Sequence, residues 1–253
     1  MRRSPLPLMV AAVAVALAGC GAATGGPAGG DRAPTTTPAQ APSAALSPAA
    51  GDETAVAAGS SGTGFRGSIS AIRAGTRARM RFSWRRGCPV GPVELRLLRV
   101  DHWGFDRRVH RGELVVHRDH ARRILKVMEQ LFRARYPIQR LRLVDAYRGD
   151  DDRSMAANNT SGFNCRKVSG TRVWSEHAYG RAIDVNPLRN PYVTRGGRVS
   201  PPAGRPYANR SGRAPGMIHS GDQVVRAFAA AGWEWGGRWS GARDYQHFSS
   251  TGR

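Results

Sequence analysis

The sequence predicts an α+β domain, and three observations carry that prediction. Two strand-like runs, residues 93–100 (VELRLLRV) and 113–117 (ELVVH), come early in the folding part of the chain. After Asp119, the residues Ala121, Ile124, Leu125, Met128, Leu131 and Phe132 recur at helical spacing. A second helix and a terminal strand follow near the C-terminus. Strands and helices in mixed order, without an internal repeat, predict a small domain in which a short antiparallel sheet is flanked by helices.

Residues 1–20 stand apart from this domain. Met1-Arg2-Arg3 is a short basic start, and residues 6–17 are apolar apart from Pro7. That run is too short to span a bilayer and suits an export signal. Leu17-Ala18-Gly19-Cys20 follows at once and resembles a bacterial lipobox, so Cys20 is the expected lipidation site. Several acyl chains on one cysteine anchor a protein stably where one chain does not. The expected location is therefore outside the cytoplasm, on the bacterial cell membrane. Residues 21–62 are rich in Ala, Gly, Pro, Ser and Thr and are read as a flexible spacer. The domain itself is placed at 63–253.

The 253 residues carry a formal charge of +21, almost all of it from arginine, since Lys126 and Lys167 are the only lysines. Such a balance fits a surface held against an anionic polymer, or an ordinary solvated face in an arginine-rich composition. The basic residues are spread out, with no nucleic-acid-binding motif among them, and nucleic acid is not expected as a partner. Cys88 and Cys165 remain after Cys20. In an exported protein they are expected to form a disulfide, with two separate buried thiols as the alternative.

The elements then follow in order. Residues 65–82 mix small, basic and apolar types and suit an N-terminal strand or arm. The runs at 93–100 and 113–117 are strands. Asp119 is read as the N-cap of a helix that runs to about Tyr136 and is ended by Pro137. Residues 141–146 (LRLVDA) make the next strand. Residues 147–175 and 186–218 are long loops, a length that usually means function or a pin such as Cys165. Ser220 or Asp222 caps a second helix with Val224, Val225, Phe228 and Ala229 on its inner face, closed by Gly232. A turn at Gly236-Gly237 and a final strand complete the chain.

Two segments carry chemistry. Residues 174–187 (WSEHAYGRAIDVNP) place His177 seven positions before Asp184, with Gly180 and Ala182 between them. Small residues let backbone come close where side chains must converge. Ala182, Asp184 and Asn186 are expected on one face of a short strand, with Ile183 and Val185 on the other. Downstream, Asp244 lies three positions before His247. Two histidines and a carboxylate suit Zn²⁺ and leave its fourth position open, the pattern of a catalytic site. Asp244 is then a spare carboxylate that can take a proton from water and hand it on. The other histidines, His102, His110, His117, His120 and His219, have no such context.

The S-x-H-x-x-G-x-A-x-D segment (Ser175, His177, Gly180, Ala182, Asp184) with D-Y-Q-H (residues 244–247) resembles the zinc peptidase family of D-alanyl-D-alanine carboxypeptidases and L-alanyl-D-glutamate endopeptidases, which includes vancomycin-resistance dipeptidases and phage endolysins. Further matching pieces are residues 87–90 (GCPV), 110–114 (HRGEL), 163–166 (FNCR) and 232–237 (GWEWGG), so the likeness covers residues 84–248. It implies a hedgehog/D,D-peptidase-like fold with the zinc on the sheet. It implies His177, Asp184 and His247 as zinc ligands and Asp244 as the catalytic carboxylate. It also implies an arginine that holds the substrate carbonyl, with Arg166 the first choice and Arg148 the second. Ser175, Trp235 and Tyr245 are candidates for the substrate groove, with packing the competing reading of the two aromatics. The implied substrates are peptidoglycan stem peptides, and the protein is expected to be a monomer. An aspartate at 244 favours the L-alanyl-D-glutamate endopeptidases, with D-alanyl-D-alanine carboxypeptidase as the alternative and a non-catalytic wall-binding lipoprotein as the reading from another class.

Overall fold

The first strands form a meander. The computed structural model describes residues 64–253, so the expected export signal, Cys20 and the spacer at 21–62 lie outside the described residues. Strand β1 (Gly67–Ala71) is followed by a short exposed helix α1 (Ala74–Arg79), then by β2 (Leu95–Trp103) and β3 (Val109–His117). All pairings are antiparallel, and β2 meets β3 in continuous register from Leu95↔His117 to Trp103↔Val109. The near-continuous apolar run in β2 has a direct cause, because both faces of the sheet are covered. Leu98, Val100, Leu114 and Val116 face the main core, while Leu95, Leu97 and Val115 pack with Met80, Val90 and Phe163 on the other side.

Helix α2 (Ala121–Arg133) lies on the main-core face and buries Ala121, Ile124, Val127, Met128, Leu131 and Phe132. Its ends differ from the sequence expectation. The N-cap is His120, with no side-chain cap bond, and the Asp119 carboxylate instead lies 3.4 Å from the His117 ring. The helix stops at Arg133 rather than near Tyr136, because Arg135 takes a left-handed φ of 51°. That turn drives Tyr136 into the core, where its hydroxyl donates to the Gly216 carbonyl at 2.7 Å.

The predicted strand at 141–146 is cut short. Only β4 (Arg140–Leu141) forms, and residues Val144–Tyr147 make a 3-10 turn. The Asp145 carboxylate accepts the N–H groups of Phe82 and Ser83 at 2.8 and 3.0 Å and draws the chain off the sheet. The expected loop at 147–175 contains helix α3 (Asp151–Ala156), whose N-cap Asp150 accepts the Arg153 N–H at 3.0 Å, and β5 (Asn159–Thr160), parallel to β4. The Cys88–Cys165 disulfide is present and ties this stretch to the segment before β2.

The rest of the chain builds around two small sheets. Its elements are β6 (Ala182–Asp184), β7 (Tyr192–Val193), β8 (Val199–Ser200), helix α4 (Gln223–Ala230), β9 (Glu234–Trp235), β10 (Arg243–Asp244) and β11 (His247–Ser249). Strands pair as β6-β11-β9 and as β10-β7-β8, all antiparallel. The mixed class is as predicted, but the one expected sheet is several small ones. Asp222 caps α4, its Oδ1 accepting from Val224 and Val225 at 2.9 and 3.0 Å. Val224, Val225 and Phe228 are buried as expected; Ala229 is exposed and Ala227 takes its place. Phe228 stacks on Phe248 at 4.0 Å, which locks α4 behind β11. Ile183, Val185 and Phe248 thus join the core that holds α2.

Candidate metal centre

Three local devices aim the ligands. Residues Glu176–Tyr179 form a 3-10 turn whose N-cap Ser175 accepts the His177 N–H at 3.3 Å. Gly180 ends it with φ 67°, and a Cβ there would lie 2.6 Å from the His117 nitrogen. The Gly180 carbonyl accepts that same His117 N–H at 2.8 Å, so the turn is clamped to the end of β3. The third device is register: β6 and β11 set Asp184 directly opposite His247. With Ile183 and Phe248 buried in the core behind, Asp184 and His247 project to the other face.

The three side chains converge. One ligand atom from each of His177, Asp184 and His247 lies within 4.8 Å of the others, and all three residues are buried. His177 Nδ1 donates to the Gly162 carbonyl at 2.7 Å, so its proton sits on the far side of the ring. His177 Nε2 is buried and makes no hydrogen bond, yet it lies 3.1 Å from Asp184 Oδ2. A buried imidazole nitrogen this close to a carboxylate is an arrangement that a cation, whether a proton or a metal ion, completes. His247 repeats it: Nε2 donates to the Arg253 backbone oxygen at 2.8 Å and Nδ1 lies 3.0 Å from Asp184 Oδ1. The residues therefore fit a zinc ion, with His177 Nε2, an Asp184 oxygen and His247 Nδ1 as donors. Burial pushes the Asp184 carboxyl up, but the two imidazoles win and keep it ionised. Among the described residues no other three His, Cys, Asp or Glu side chains converge in this way.

Residues 169–250 match the family model described as D-alanyl-D-alanine carboxypeptidase, and the match spans the two segments that supply His177, Asp184, Asp244 and His247. Over these residues the chain is similar to that family of zinc peptidases. No curated protein and no solved structure matches the chain significantly.

Within the matched residues, Asp244 stands on β10, paired with Tyr192 of β7. Its Oδ1 is enclosed and has no hydrogen-bond partner. Burial raises its carboxyl to about 7, with Asp184 adding to the rise and His247 and His177 opposing it. A carboxyl tuned near neutrality beside a metal centre can both accept and return a proton.

The other predicted residues divide. Arg166 is half-buried, its Nη2 2.7 Å from Asp151 Oδ2. It follows Cys165 and lies two residues beyond Asn164, whose N–H donates to the His177 carbonyl at 3.1 Å. Arg148 is exposed and lies over the Phe82 ring. Ser175 is buried as a cap for His177, which is a positioning contact. Trp235 is a core residue: it packs on Phe248, and its indole N–H donates to the Tyr245 carbonyl at 2.9 Å. Tyr245 is half-buried beneath the Arg210 guanidinium, 4.6 Å from its ring centre. Asn186 leaves the expected strand face. It takes a φ of 45°, and its amide bonds the Pro137 carbonyl at 2.8 Å and the Gln139 N–H at 3.1 Å.

Sequence reasoning missed the Gly162 and Arg253 backbone oxygens, for which no sequence signal exists because every residue has one. It also missed Arg210, whose Nη atoms bond the Arg189, Tyr207 and Ile218 carbonyls and Asn190 Oδ1. That clamp folds the 186–218 stretch against Tyr245.

Proposed function

We propose that the protein is a zinc-dependent peptidase that cleaves the stem peptides of peptidoglycan at the L-alanyl-D-glutamate bond. The observation that carries the reading is Asp244, a half-buried residue with an enclosed, unpartnered carboxylate oxygen beside three converging ligands. A purely structural metal site has no need of it. Bound zinc supplies Lewis acidity to water and to the scissile carbonyl. Asp244 takes the proton of the attacking water and delivers it to the leaving amine. Arg166 meets the negative charge that develops on the carbonyl oxygen, and the neighbouring disulfide limits its motion. The family match supports a peptidase of this kind, and the aspartate at position 244 supports the endopeptidase type. The same reading includes a hedgehog/D,D-peptidase-like fold, a monomeric protein, and a lipid anchor at Cys20 outside the cytoplasm. The Cys88–Cys165 bridge supports the compartment, because disulfides persist in oxidising surroundings.

The test is incubation of the zinc-loaded protein with purified muropeptides, followed by mass spectrometry of the products. Separation of L-alanine from the D-glutamyl remainder is expected. Release of free D-alanine assigns a carboxypeptidase instead, and intact peptides throughout favour a wall-binding role.

A further inference from the structure

Residues 249–253 turn back onto the metal centre. Ser250 donates its N–H to the Arg181 carbonyl at 3.1 Å. Gly252 then takes a left-handed φ of 75°, and a Cβ there would lie 2.9 Å from the Glu234 carboxylate. The Gly252 carbonyl accepts the indole N–H of Trp239 at 2.8 Å. The next backbone oxygen, that of Arg253, accepts from His247 Nε2 at 2.8 Å. The Trp239 ring also lies 5.5 Å from the His247 ring. One indole therefore packs beside the imidazole in a tilted arrangement and holds the segment that meets the imidazole's far nitrogen.

That far nitrogen decides what His247 can do. A neutral imidazole has one proton, and the hydrogen bond made by one nitrogen sets whether the other carries a lone pair. In the neutral ring that ligates, an acceptor at Nε2 holds the proton there and leaves the lone pair on Nδ1, which faces Asp184. Without the acceptor, nothing on that side opposes the tautomer with its proton on Nδ1, hydrogen-bonded to Asp184. That tautomer blocks a metal.

We propose that residues 251–253, pinned by Trp239, are a positioning strap for the metal centre, holding His247 in the tautomer whose Nδ1 faces Asp184. This rests on the reading of His177, Asp184 and His247 as metal ligands. Trp239 is then a positioning residue that acts through the segment it pins.

The experiment titrates the metal-free full chain with zinc against a chromophoric chelator, beside Trp239→Phe and a chain lacking residues 251–253. Imidazole ¹⁵N shifts of the zinc-loaded forms read the His247 tautomer, and metal-free melting temperatures read the fold. The intact chain is expected to bind zinc through Nδ1 with the proton on Nε2. Both variants are expected to lose roughly 10- to 100-fold in zinc affinity with the metal-free melt unchanged. If Trp239→Phe does not fold, the deletion carries the test, since it removes only exposed and half-buried residues. Equal affinity in all three chains with the same His247 tautomer overturns the strap alone. Absence of zinc binding by the intact chain overturns the metal reading, and the strap with it.

Discussion

His177 Nε2 lies 3.1 Å from Asp184 Oδ2, while the proton of the ring is committed to the Gly162 carbonyl on the opposite side. Both atoms are placed to ligate one metal ion, and that ion binds the folded chain only. Zinc is therefore expected to stabilise the protein. At a free concentration about a hundred times its Kd, it should add about 2.7 kcal/mol. Thermal melts with and without zinc measure the gain, and His177→Ala should abolish it.

Zinc uptake is also expected to release a proton at neutral pH. In the metal-free protein burial lowers the His247 pKa, but the hydrogen bond and charge of Asp184 outweigh it and raise the imidazole to about 9. At pH 7 the imidazolium predominates and must lose its Nδ1 proton before it can ligate. Zinc affinity should therefore climb with pH until about 9. Calorimetry in buffers of different ionisation enthalpy counts the proton, and a heat independent of buffer at pH 7 contradicts the expectation.

Asp244→Asn should have opposite effects on stability and catalysis. The folded carboxyl titrates at about 7 against an ordinary value of 3.8. Its contribution to stability is full below about 4 and is lost as pH rises through about 7. The asparagine variant, free of that loss, should melt higher than the parent at pH 8 when both are metal-free. Once loaded with zinc it should hold the metal normally but lose roughly 10²- to 10⁴-fold in kcat. Full activity in this variant would remove Asp244 from the mechanism.

The two arginines should separate under conservative change. Arg166 holds a half-buried ion pair with Asp151, whereas Arg148 is exposed over Phe82. Lysine keeps the charge but loses the planar fork. Arg166→Lys should cost on the order of 10² in kcat, and Arg148→Lys should change it less than about threefold. The reverse order would assign the role to Arg148.

Loss of the disulfide should be felt at the site as well as in the fold. Cys88 and Cys165 are 77 positions apart, so opening the bridge frees a long loop in the unfolded chain, worth roughly 2 to 5 kcal/mol. The Asn164 N–H that meets the His177 carbonyl lies next to Cys165. A Cys88→Ser, Cys165→Ser double variant should therefore melt lower and also turn over more slowly below its melting temperature. Unchanged kcat there would confine the bridge to stability.

The parts of the molecule legible in sequence are those that announce themselves by type and period. The α2 stripe and the β2 run are continuous apolar patterns, and His177, Asp184 and His247 are ligand types in a specific motif. What was not legible depends on partners far away in sequence. Residues 151–156 (DDRSMA) have no apolar stripe, and α3 is started by the Asp150 cap. The strand at 141–146 stops early because Asp145 is taken by Phe82 and Ser83. Asn186 leaves β6 for Pro137 and Gln139. Trp235 suits a groove or a core equally well by type, and only its pairing with Phe248 settles the matter.

Asp184 and His247 stand opposite one another on paired strands although 63 positions separate them. A centre assembled this way proofreads its own threading. Slippage by one residue in β6 or β11 turns a ligand to the side of Ile183 and Phe248, so a misaligned molecule forfeits its metal. Insertions and deletions in a lineage of such chains should be absent from these two strands. They should gather at places such as the exposed tip at 195–198, where added length leaves the opposition of Asp184 and His247 untouched.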